Sequence, residues 1–335
     1  MMGLKKPDYY IVIGASAGGL NATTELVSQL SEDINAAVFV VLHLSKVGIG
    51  DFLVHRLQKY TTYTCMKVTD GMAIERHKIY VAPPDEHLVI RDDHVVLGRG
   101  PAENRWRPSV DVLFRSAAAN HASQVIGIVL TGYLNDGTDG MLAIKRSGGV
   151  CIVQDPNEAE YPDMPMSVIE HVEVDYSVSL QKMGEVIRQA ISLHGNGKPA
   201  IVAPDDVVLE ARIAENAVVG LNVVSNLGER SLYVCPDCGG GLWQMRHANV
   251  ERYRCHVGHV YTEEILVQKQ AESLESTLWV ALRMMEERRN LLMSISSRES
   301  TNGFPQLSNT HKEKAEELEQ HIVRLKELLF AGKDA

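Results

Sequence analysis

The 335-residue chain has only five cysteines, no leader-like opening segment and no apolar run long enough to span a bilayer. So few cysteines exclude a disulfide scaffold and point to a reducing compartment, so the expected location is cytoplasmic. Positive charge is also scarce. Against 43 Asp and Glu stand 33 Lys and Arg, a formal net charge of −10, which argues against general nucleic-acid binding. Arg246, Arg252 and Arg254 lie close together, but Asp237 and Glu251 are expected to offset them, so no basic stripe forms. Internal repeats and low-complexity tracts are absent. What remains is an ordinary globular composition, 45% hydrophobic and 23% charged, sized for one large domain and a smaller one.

The most informative segment is Gly14-Ala15-Ser16-Ala17-Gly18-Gly19, directly after the β-branched run Tyr9-Tyr10-Ile11-Val12-Ile13. A short apolar run that ends in small residues reads as a buried strand opening into a tight turn and then a helix. The glycine spacing fits neither G-x-G-x-x-G nor G-x-x-x-x-G-K-[ST], and no Lys follows to reach a phosphate. Two readings of Ser16 remain from this hexapeptide: a helix cap or a nucleophile.

A nucleophile needs a base, an orienter and an oxyanion site. The apolar run Ala36-Ala37-Val38-Phe39-Val40-Val41-Leu42 ends at His43. The run from Gln124 to Leu130 ends in Thr131-Gly132-Tyr133-Leu134-Asn135-Asp136-Gly137-Thr138-Asp139-Gly140. If these strands are parallel, Ser16, His43 and an Asp emerge on one rim of the sheet, where open α/β folds bind ligands. His43 is then the expected base and Asp136 the orienter, with Asp139 a rival on spacing alone. The Ala17 and Gly18 N–H groups, at a helix N-terminus, are the expected oxyanion donors. The order Ser, His, Asp differs from that of an α/β-hydrolase.

These segments resemble the catalytic domain of the chemoreceptor glutamate methylesterases (CheB-type). The matching pieces are Ile13 to Gly19, Val41-Leu42-His43, Ile79 to Pro84 with Asp85-Glu86-His87-Leu88, Arg107-Pro108-Ser109-Val110-Asp111, Leu130 to Gly137, and Met164-Pro165. They run in the family's order over roughly residues 8 to 190. The resemblance implies a doubly wound, mostly parallel α/β sheet with helices on both faces. It implies Ser16 as nucleophile, His43 as base and Asp136, rather than Asp139, as orienter. It implies hydrolysis of γ-glutamyl methyl esters on the cytoplasmic helical bundle of chemoreceptors, possible deamidation of receptor glutamines, and no cofactor for catalysis. Arg107, Tyr133, Asn135 and Met164 are expected at the oxyanion or substrate cleft. Tyr133 stands where the family often has Met. The first strand begins near Tyr9, so the family's N-terminal receiver domain is not expected.

The second half reads differently. His194-Gly195-Asn196-Gly197-Lys198-Pro199 is a breaker cluster and an expected domain edge, giving a catalytic domain over 1–195. Residues 196–230 have no clean period and read as a linker that partly packs, with Asp205 to Ala211 able to start a short helix. In 231–262, Cys235 and Cys238 form a C-x-x-C knuckle, and Cys255 and His259 a second pair. Four such ligands fit a structural zinc site, with His256 as the alternative fourth. Cys65 and Cys151 read as core residues. Residues 263–331 read as an antiparallel helical hairpin, with one apolar stripe through Leu274, Leu278, Ala281, Met285, Leu292 and Ile295 and another through Ala315, Leu318, Ile322, Leu325 and Leu329. Asn302-Gly303-Phe304-Pro305 breaks it. The hairpin is a candidate seam for a homodimer or a partner helix. A zinc-stabilised regulatory or scaffold protein, with the esterase site secondary, is the competing reading.

Overall fold

A computed structural model of the chain describes residues 6–43, 49–194, 201–216, 221–246 and 250–331. The breaker cluster at 195–199 lies outside them. The first half alternates strand and helix: β1 (Tyr9–Ala15), α1 (Gly19–Ser28), β2 (Ala36–Leu42), α2 (Ile49–Gln58), β3 (Thr64–Lys67) and β4 (Lys78–Val81). A hairpin of β5 (His87–Arg91) and β6 (His94–Gly98) follows, then α3 (Val110–His121), β7 (Val125–Val129), α4 (Thr138–Arg146), β8 (Val150–Gln154), α5 (Asp163–His171), β9 (Tyr176–Val178) and α6 (Met183–His194).

Seven strands form one all-parallel sheet in the order β3-β4-β2-β1-β7-β8-β9. Helices cover both faces, so the central strands are continuous apolar runs rather than alternating ones. Ile11 and Ile13 join one core with Leu26 of α1, Leu57 of α2 and Ile187 of α6. Tyr10 and Val12 face the other core, with Leu113 and Phe114 of α3 and Met141 of α4. From β1 the chain winds outward through β2 and later returns to the opposite side through β7. The β1/β7 boundary is therefore the topological switch point, where open α/β sheets place their ligand crevice.

Residues 205–227 are not a linker. They form α7 (Asp205–Asn216) and α8 (Leu221–Leu227). α7 buries Val207, Glu210, Ala211, Ile213 and Ala214. Ala214 packs with Val89 and Val112, while Ile213 packs with Leu227 and Met245. A helix buried on two sides carries no single apolar stripe, which is why the segment shows no clean period. An antiparallel sheet follows: β10 (Gly228–Val234), β11 (Gly241–Met245), β12 (Arg252–Cys255) and β13 (Val260–Thr262). The chain divides into two compact units after Ile265, so α7, α8 and this sheet belong with the parallel sheet instead of standing apart from it.

The second unit is the hairpin of α9 (Glu263–Thr301) and α10 (Pro305–Ala331). Gly303 at φ +82° turns the chain, and Pro305 opens the second helix. Leu282, Ala315 and Ile322 are buried along the seam, and the Arg289–Glu319 and Lys326–Glu286 pairs flank it. Leu274, expected in the stripe, is 61% exposed. The reason is length: α9 has 39 residues and α10 has 27, and the last ring contact pairs Trp279 with Phe330. No helix among the described residues is long and apolar enough to cross a membrane.

Candidate active site

Three loops meet at the carboxyl edge of the sheet. β1 and β2 are paired up to Ala15 and Leu42, so Ser16 and His43 occupy the next rung. The His43 N–H donates to the Ala15 carbonyl at 3.0 Å, and the Ser16 N–H to the Thr131 carbonyl at 3.0 Å. Ser16, His43 and Asp136 are all buried. Ser16 is not the cap of α1. That position is Gly18, at φ +73°, without a side-chain cap.

His43 Nε2 lies 2.9 Å from Asp136 Oδ2. Asp136 also accepts the Val110 N–H at 2.8 Å, the Ser109 hydroxyl at 2.9 Å and the Asp111 N–H at 3.2 Å. Burial pushes the Asp136 carboxyl up, but the His43 hydrogen bond and charge and the two backbone donors outweigh it and hold it below its ordinary value. An ionised Asp136 accepts a hydrogen bond from the Nε2–H, which fixes the imidazole with its hydrogen on Nε2 and its lone pair on Nδ1. Nδ1 is buried with no protein partner. It is the atom free to take a proton.

Two features near this core are invisible in the local sequence pattern. Trp106 stacks face to face on His43, with centroids 4.1 Å apart and planes at 7°. Gly132 is pressed between neighbours: a Cβ on it would lie 2.2 Å from Met164 Sδ and 2.7 Å from Ser16 Cβ. Met164 is fully buried in the core, with its sulfur beside Gly132.

The other expected cleft residues lie in different settings. The Arg107 guanidinium holds Asp85, at 2.7 Å, and the Gly100 carbonyl, at 2.8 Å, so it braces its own loop. Tyr133 is 53% exposed and packs against Tyr161. The Asn135 amide donates to Thr262 Oγ1 at 3.3 Å. Ala17 and Gly18 follow Ser16 directly at the start of α1. His87, quoted above only as part of a motif, accepts the Ser109 N–H at Nδ1 and donates from Nε2 to the Pro101 carbonyl. Burial pushes its pKa down, so it is neutral.

Asp139 is occupied elsewhere. It pairs with Arg115 at 3.1 Å and Arg252 at 2.9 Å in a buried cluster that also holds Glu103, Glu210 and Arg254. Arg252 reaches Glu210 at 3.1 Å and Arg254 reaches Glu103 at 2.5 Å. The counter-charges of Arg252 and Arg254 are therefore Asp139, Glu210 and Glu103, not Asp237 and Glu251. Only Arg246 stays at the surface, beside Glu229. Three guanidinium groups thus meet three carboxylates and fasten β12 to α3, α4 and α7.

Cys235, Cys238, Cys255 and His259 bring their ligand atoms within 4.8 Å of one another. The Cys238–Cys255 sulfurs are 3.8 Å apart, and His259 Nδ1 is 3.6 Å from Cys235 Sγ and 3.5 Å from Cys255 Sγ. Tetrahedral zinc with its usual bond lengths requires edges of about 3.8 Å between sulfurs and about 3.6 Å from sulfur to nitrogen. The donor set fits that ion. The fourth member is His259; His256 lies against Gly240.

Comparison with known proteins places this arrangement. The CheB methylesterase pattern matches residues 11–187. A Leptospira interrogans relative is 37% identical over 177 residues, which are 52% of this chain and 91% of the relative. A Sulfurimonas denitrificans protein-glutamate methylesterase/protein-glutamine glutaminase is 37% identical over 186 residues, 54% of this chain and 52% of that protein. The crystal structure of the Thermotoga maritima CheB methylesterase catalytic domain superposes with a TM-score of 0.52 at 31% identity, covering 55% of this chain and 98% of that domain. The matched span contains all three loops of the Ser16, His43 and Asp136 edge, and the chain belongs to the CheB methylesterase family.

Proposed function

We propose that Ser16, His43 and Asp136 are the nucleophile, base and orienter of a protein-glutamate methylesterase. The observation that carries this is the imidazole, held at Nε2 by a charged carboxylate, with its Nδ1 unpartnered and its residue level with Ser16 on the neighbouring strand. In this reading Ser16 Oγ attacks the γ-carbonyl carbon of a methylated glutamyl side chain, and its proton passes to His43 Nδ1. The tetrahedral oxyanion takes hydrogen bonds from the Ala17 and Gly18 N–H groups. The C–O bond to methyl breaks, and the methoxide leaves as methanol with the imidazolium proton. Water then attacks the Ser16 acyl ester. His43 takes that water's proton and returns one to Ser16 Oγ, which releases the γ-carboxylate. A glutamine substrate follows the same path and loses ammonia, as the relatives' names suggest.

The expected substrate is the cytoplasmic helical bundle of methylated chemoreceptors, and the chemistry calls for no catalytic cofactor. Zinc held by Cys235, Cys238, Cys255 and His259 would crosslink the β10–β11 turn, the end of β12 and the turn before β13, a structural role. Replacement Ser16→Ala tests the mechanism. Methanol release from methylated receptor should fall by about 10³-fold or more, with an unchanged fold by circular dichroism. Full activity in that variant would overturn the serine mechanism.

A further inference from the structure

The Cys/His cluster and the catalytic imidazole are joined by a short path of direct contacts. Cys255 follows Arg254 in the chain, and His259 precedes Val260. Arg254 Nη2 donates to Glu103 Oε1 at 2.5 Å. The Val260 carbonyl accepts the Asn104 N–H at 3.0 Å. Glu103 and Trp106 exchange backbone hydrogen bonds, at 3.2 and 2.9 Å, so residues 103–106 form one tight piece. Its last member, Trp106, covers His43. Two residues beyond Val260, Thr262 accepts the Asn135 amide beside Asp136. The two strands joined by the β12–β13 turn therefore touch both segments that flank the imidazole.

That turn is weakly held by its own sheet. β12 and β13 share three residue pairs, Arg252–Thr262, Tyr253–Tyr261 and Arg254–Val260. A sheet of strands this short has little core of its own, and a metal crosslink is the usual means of fixing one. Of the four ligands, Cys255 ends β12 and His259 sits in the turn itself.

Resting on the reading of His43 as the base, we infer that metal bound by Cys235, Cys238, Cys255 and His259 is a clamp on the esterase site. It locks the β12–β13 turn, and that turn seats Trp106 on His43. Trp106 is a positioning residue. Its face keeps the imidazole in plane with Asp136 and supports the charge the ring gains when it takes the Ser16 proton. Without metal, Arg254 and Val260 lose their fixed register, residues 103–106 shift, and the indole leaves the imidazole. Turnover then falls while substrate binding changes less.

The experiment uses the full chain with Trp243→Phe and Trp279→Phe, which leaves Trp106 as the sole indole of the original three. A stacked imidazole quenches indole emission. Chelation followed by return of one equivalent of Zn²⁺ should raise and then lower that emission. It should also cut and then restore kcat, by about tenfold or more, with a smaller change in KM. A second protein, carrying Glu103→Gln and Arg254→Met as well, keeps all four ligands. It should bind one equivalent of zinc yet show the emission and kcat of the metal-free chain. This protein carries the test if chelation unfolds the first. The clamp is overturned if the chain binds no zinc. It is equally overturned if folded metal-free protein, or the zinc-loaded second protein, keeps quenched emission and full kcat. Full methanol release by Ser16→Ala would instead sink the hydrolase reading, and the emission response to zinc would still be measured independently.

Discussion

Asp136 and Asp111 cap each other's helices. Asp136, just ahead of α4, accepts the Val110 and Asp111 N–H groups that open α3. Asp111, in the first turn of α3, accepts the Gly137 and Gly140 N–H groups that open α4, at 3.0 and 2.7 Å. Both are buried. Burial first, then the charges of Asp136 and Asp139, push Asp111 well above its ordinary value, whereas Asp136 is held below its own. The pair therefore concentrates its negative charge on the member that faces His43.

Asymmetry of this kind predicts unequal effects of the same substitution. Asp136→Asn should cost about 10⁴-fold in kcat, because the amide no longer selects the Nε2–H tautomer. Asp111→Asn should cost less than about tenfold. Its remaining oxygen still accepts both N–H groups, and a flip of the Asn104 amide, which donates to the replaced oxygen, turns its unpartnered Oδ1 toward the new NH2. Steady-state methanol release checks both.

At Gly132 the constraint is volume. Gly132→Ala forces a methyl between Met164 Sδ and Ser16 Cβ, where neither space exists. Thermal unfolding should register a loss of about 1–3 kcal/mol. Shortening Met164 to Ala in the same protein should recover stability more than activity, because the Ser16 contact persists.

The pH dependence of stability should carry a signature of Glu103. Burial raises its pKa, but Arg115 and Arg254 outweigh that and bring it from 4.5 to about 2. A lowered folded value means stabilisation that is present above 4.5 and is lost as pH falls toward about 2. Urea midpoints of wild type and Glu103→Gln should therefore differ most near neutral pH and converge through that acidic window.

Arg252 bridges Asp139 and Glu210 in the buried cluster. Arg252→Met leaves two carboxylates short of a partner and should cost about 3–5 kcal/mol in denaturant unfolding. Adding Glu210→Gln should return part of that loss, since the two residues are directly coupled.

The sequence by itself determined the strand ends. Apolar runs stopping at Ile13, Leu42 and Leu130 place Ser16, His43 and the Asn135-Asp136 loop at one edge once the strands are parallel, although the first strand continues to Ala15. Local chemistry also marked the Cys/His spacing and the break at Asn302 to Pro305, because thiolates, glycine and proline act over a few residues. The family resemblance favoured Asp136 over Asp139, and tertiary structure supplied the physical difference: one meets an imidazole, the other two guanidinium groups. It turned a segment read as partly packed linker into the helices Asp205–Asn216 and Leu221–Leu227, and it gave Arg252 and Arg254 their partners. It alone laid Trp106 on His43. Charge pairing and ring stacking join residues dozens to more than a hundred positions apart, and no local period or spacing encodes which distant side chain will fill a buried site.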